Sequence, residues 1–108
     1  GASLNAYLDV WAHLVVTYDG SSSNSGIKGY VNGDLITTWF TADSGTYTAM
    51  ENTTSPLLLG KTANESYKTE GKMDEIAIFN SELSATDITS IYNSGVPNLK
   101  NKSYVRIN

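Results

Sequence analysis

The chain has 108 residues, 40% of them apolar, with seven basic against eleven acidic side chains, a formal net charge of −4 and no cysteine. That length suits one domain with a core of its own, and the acidic balance argues against a nucleic-acid partner and an anionic membrane surface. Without cysteine there is no disulfide framework, thiolate metal site or cysteine nucleophile. The longest apolar run is far shorter than the ~20 residues a membrane helix needs, so no membrane insertion is expected. The opening GASL resembles neither a signal peptide nor a natural start, and residues 1–108 therefore read as a single, partial domain from a longer protein.

Residues 11–18 (WAHLVVTY) are β-branched and aromatic, which predicts a strand with Leu14, Val16 and Tyr18 on one parity. Asp19-Gly20 ends it and opens a Ser/Asn/Gly loop that reaches Gly26. Residues 27–31 predict the next strand, and Asn32-Gly33 is a strong signal for a type I′ hairpin turn. Residues 35–41 then return antiparallel, in a register set by that turn. Residues 42–56 show no periodicity and read as a long surface loop with a short extended piece at 46–48. Residues 57–59 (LLL) read as a short buried strand, and 64–70 as a polar loop.

In residues 73–79, Met73, Ala77 and Phe79 occupy one parity and Ile76 and Ile78 the other. A strand apolar on both parities is covered on both faces, which places it centrally. Ser84 followed by Asp87 forms a capping box in its Asp variant. Ile88, Ile91 and Tyr92 follow at the spacing of one helical face. Gly95 suits the left-handed position after a helix and Pro97 blocks continuation, so the helix should run two to three turns, held to the sheet by Leu83, Ile88, Ile91 and Tyr92. Residues 103–108 (SYVRIN) alternate as a strand. Short antiparallel strands with turn-rich loops and one late helix predict an all-β, antiparallel β-sandwich, with a barrel as the alternative.

WAHLVVTYDG, GYVNGDL, LLLGK and GKMDEIAIFNSELSATDITSIYNSG, in that order, resemble the laminin G-like and pentraxin-like branch of the concanavalin A-like lectin/glucanase superfamily. The resemblance spans residues 11–95 and implies a jelly-roll sandwich, of which this chain is the C-terminal part. Two departures stand out. Ala12 separates Trp11 from His13, where the family places them side by side, and the strands that usually precede this segment are largely missing. An open edge in such a sandwich has to be completed by further sequence or by a neighbouring chain.

Glycoside hydrolysis needs two carboxyls on one face. Asp74 and Glu75 are adjacent, so a regular strand points them to opposite faces, and Lys72 and Ile76 stand at the alternate positions. His13 is the only histidine and no nucleophile elbow is present, which leaves it a strand histidine on or near the surface. The chain is therefore expected to be non-catalytic. Asp74 shares parity with Ile76 and Ile78, so its carboxylate needs backbone amides or a cation; the resemblance implies a structural calcium near this strand. Trp39 lies on the opposite parity from Ile36 and Phe40. With Tyr47 and Tyr67 it makes a candidate platform for stacking on a sugar or a partner surface. Asn52, Asn64 and Asn101 open formal glycosylation sequons.

The resemblance implies a binding or adhesion module for a glycan or protein, within a larger extracellular, cell-surface or virion-surface protein. The competing expectation is a structural assembly subunit (a virion decoration, fibre or filament protein) whose sandwich neighbouring chains complete.

Overall fold

A computed structural model describes residues 5–37, 53–64, 66–94 and the backbone of 104–107. Two turns build its first sheet, in which β1 (Leu14–Tyr18), β2 (Ile27–Val31) and β3 (Asp34–Ile36) run antiparallel in the order β1-β2-β3. Between β1 and β2 the side chain of Asp19 accepts the Ser21 N–H at 2.8 Å, and the Tyr18 hydroxyl accepts that of Ser22 at 2.8 Å. Gly26 closes the loop, where a Cβ would collide with the Asp19 carboxylate and the Ser21 hydroxyl. Between β2 and β3, Asn32 (φ 52°) and Gly33 (φ 89°) both adopt positive φ, the requirement of a type I′ turn. Asn32 also ties down the start of β1: its side-chain oxygen accepts the His13 N–H at 2.9 Å, and its own N–H donates to the His13 carbonyl at 2.9 Å.

A second, two-stranded sheet pairs β4 (Ile76–Phe79) antiparallel with β5 (Tyr104–Ile107), and the helix α1 (Ala85–Ser94) lies between them in sequence. The capping box forms as expected. Asp87 N–H donates to Ser84 Oγ at 3.1 Å, and Ser84 N–H donates to Asp87 Oδ2 at 3.0 Å.

Cross-strand partners share a face. The register Val15↔Tyr30 and Thr17↔Lys28 therefore defines one face of the first sheet. That face looks toward residues 79–91: Tyr30, Leu83 and Ile88 are buried together, flanked by Val15, Phe79 and Ile91. At its border Lys28 Nζ meets Glu82 Oε1 at 3.1 Å. Among the described residues only four apolar side chains are buried: Tyr30, Val31, Leu83 and Ile88.

Several expectations are corrected. β1 begins at Leu14 rather than at residue 11, and the parity bearing Leu14 and Val16 is its exposed one. Residues 57–59 form no strand: Leu57 is 68% exposed, Leu59 is exposed as well, and the nearest pairing is a single bridge, Lys61↔Lys68. Without a ladder partner, three leucines do not hold a strand. β4 begins only at Ile76, because Glu75 sits at φ 55°, in the left-handed region that interrupts extended backbone. It pairs only with β5 among the described residues, so the expected central position is not seen. Tyr92 is partly exposed at the end of the first sheet, where it stacks on His13, with ring centroids 5.9 Å apart, and lies beside Gly33 of the β2–β3 turn. Residues 38–41 of the predicted return strand, most of the predicted 42–56 loop, Gly95, Pro97, Asn52 and Asn101 lie outside the described residues.

Candidate functional site

The open side of β1 follows from its hydrogen-bond alternation. His13 accepts from Asn32 at 2.9 Å and Asp19 donates to Gly26 at 3.2 Å, so the odd-numbered residues address β2. In an antiparallel ladder the even-numbered residues then point their backbone groups the other way. The N–H and C=O of Leu14 and Val16 face a cleft of about 990 Å³ that separates β1 from β4. Its walls are mostly apolar: Trp11 is 68% exposed, Val16 62% and Leu14 53%, with Met73 and Ile78 exposed opposite. Glu70, Lys72, Asp74 and Glu75 add charge on the β4 side.

Two polar atoms in the cleft lining lack partners, Thr17 Oγ1 and His13 Nδ1, both buried. A buried polar atom without a partner costs roughly 1–3 kcal/mol. Burial lowers the His13 pKa from its ordinary 6.5, so the ring is neutral at pH 7. Neutral imidazole offers one donor and one acceptor. An apolar wall with a few unsatisfied polar atoms is the composition of a recognition site.

Of the residues singled out from the sequence, Trp39 and Tyr47 lie outside the described residues. Tyr67 is 75% exposed on its loop and does not line the cleft. Its backbone is held by Thr62, whose N–H donates to the Tyr67 carbonyl at 3.0 Å. Asp74 does stand at the cleft, but it is exposed, and its carboxylate accepts the Glu75 N–H at 2.8 Å. The expected burial of that carboxylate is absent because the strand starts two residues later. Among the described residues no three His, Asp or Glu side chains converge. Asp74 thus brings one of the several oxygens a calcium ion requires. His13, expected on or near the surface, is instead partly buried against Tyr92.

Sequence reasoning missed Trp11, which it placed inside a strand. The signal was the uncharged run 10–18, bounded by Asp9 and Asp19.

A strand hairpin facing a second strand pair and a capped helix, beside an apolar cleft, has the layout of a lectin-like β-sandwich module. The chain belongs to the concanavalin A-like lectin/glucanases superfamily, whose laminin G-type family model matches residues 2–89. The superfamily's fold is the jelly-roll β-sandwich, and its laminin G and lectin-like members are generally non-catalytic. No curated protein and no solved structure matches the chain significantly.

Proposed function

We propose that the chain is a non-catalytic recognition module of a larger extracellular, cell-surface or virion-surface protein, and that its cleft takes an apolar surface of a protein partner. The observation that carries this reading is the exposed wall of Trp11, Leu14 and Val16 along the cleft. A contiguous apolar patch of this kind marks an interaction site. A glycan would be served better by the aromatic platform of Trp39, Tyr47 and Tyr67, of which Tyr67 is solvent-facing.

Glycan and extracellular-protein arrays probed with the chain, alongside Trp11→Ala and Trp39→Ala, separate the two. Protein binding lost at least tenfold in Trp11→Ala and kept in Trp39→Ala supports the cleft. Glycan binding with the reverse dependence overturns it in favour of the platform. Calcium at Asp74 belongs to the same reading, and a calcium titration followed by Tm tests it: an unchanged Tm removes the ion.

A further inference from the structure

We propose that Asn32 is a spontaneous deamidation site of this chain, gated by its two hydrogen bonds to His13. The chemistry is intramolecular. The Gly33 backbone nitrogen attacks Asn32 Cγ and closes an imide ring, while the side-chain nitrogen leaves as ammonia with the Gly33 proton. Water then opens the ring at either carbonyl, giving aspartate or isoaspartate. One water is consumed, one ammonia is released, and nothing is oxidised or reduced. Of the chain's asparagines only Asn32 precedes a glycine, whose nitrogen no side chain shields.

The fold holds the reacting atoms apart. Asn32 Oδ1 accepts the His13 N–H at 2.9 Å and the Asn32 N–H donates to the His13 carbonyl at 2.9 Å, so the side chain that must turn back onto Gly33 is tied across to the neighbouring strand. The tie is the terminal one of the β1–β2 ladder, because β1 begins only at Leu14. The residues just before it are weakly anchored: Leu8 is 69% exposed, Val10 60% and Trp11 68%. Ladder ends with few packed neighbours open locally, without global unfolding. Opening here also lets water reach the buried, unpartnered His13 Nδ1, which offsets part of the cost of breaking the two bonds.

The product cannot close again. Isoaspartate carries the side-chain carbon into the main chain, and the β2–β3 connection is a two-residue turn with both φ angles positive. Lengthening it breaks the Val31↔Asp34 register that the turn fixes. Gly33 also lies against Tyr92 and Thr89 of α1, so the change reaches the helix as well as the hairpin. The modified fraction therefore records how often this corner has opened over the life of the chain.

The test incubates the full chain and a peptide of residues 27–36 side by side at pH 8 and follows isoaspartate at position 32 by peptide mapping. Hydrogen exchange of the His13 N–H supplies the fraction of time the gate is open. The chain should react at least tenfold more slowly than the peptide, and the ratio of the two rates should match the His13 protection factor within about fivefold. His13→Pro removes the N–H donor while keeping the carbonyl, and should raise the rate in the chain at least threefold. The exchange comparison decides the matter if that variant fails to fold. A chain that reacts as fast as the peptide, or a ratio outside the fivefold range, overturns the gate. Deamidation at Asn24, Asn80 or Asn93, each followed by serine, ahead of Asn32 overturns the site.

Discussion

The two sides of β1 make the most instructive contrast in this molecule. Toward α1, Val15 packs with Tyr30, Leu83 and Ile88, and the local geometry there is specified twice over, by a type I′ turn and by a reciprocal helix cap. On the other side Leu14 and Val16 are as apolar as Val15 yet stay in water. Apolarity alone therefore does not say which parity of a strand is inside. The deciding factor is local cover: Val31, the cross-strand partner of Leu14 and so on the same face, is buried, while Leu14 and Val16 are not.

That contrast can be broken or sharpened by measurement. The largest effect should come from Ile88→Ala, which empties a fully buried site and should cost about 2–5 kcal/mol in urea denaturation. A loss below about 1 kcal/mol would show that the helix side is no better packed than the cleft. Gly33→Ala comes next, at about 1–2 kcal/mol for a Cβ in the left-handed region. The new Cβ would meet Tyr92 and Thr89 only at ordinary contact distance, so the cost is conformational. Ser84→Ala removes one half of the helix cap and should cost about 1 kcal/mol, read from the same denaturation curves.

A smaller effect is expected from pH. The folded chain binds a proton at His13 less readily than the unfolded chain does, since burial lowers that pKa from 6.5. The unfolded state therefore holds more protons below pH 6.5, and stability kept above that value is lost as pH falls through the folded pKa. Denaturation midpoints at pH 7.5 and 5 should differ in this direction, and His13→Gln should reduce the difference. The smallest change should come from Leu8→Ser on the cleft side. That residue is exposed, and its substitution should shift stability by no more than about 0.5 kcal/mol.

What the sequence made legible was local. Asn32-Gly33 announces its turn because both positions tolerate positive φ, and Ser84 with Asp87 announces the helix start because the cap is made within four residues. β5 was readable from the alternation of residues 103–108. The family was legible too, from ordered motifs across most of the chain. The failures were tertiary. Leu57 and Leu59 look like a core strand but have no ladder partner among the described residues, and Met73 looks like a strand residue until Glu75 turns the backbone. The cleft was illegible for the same reason. Trp11 and Met73 are 62 positions apart, and no local pattern reports that they line the same space.

The Lys28–Glu82 ion pair joins residues separated by 54 positions. Its long reach bears on the order of events during folding. The β1–β2–β3 meander and the capped helix each close through short loops, whereas the layer that unites them must close a loop several times longer before any of its contacts form. Loop closure of that length is what slows folding in chains dominated by distant contacts. The meander and the helix should therefore appear early, and docking of Leu83 and Ile88 onto Tyr30 should set the folding rate. A protease cut at the exposed Leu57, between β3 and β4, would then leave two pieces that still meet, but with the encounter converted from an intramolecular step into a concentration-dependent one.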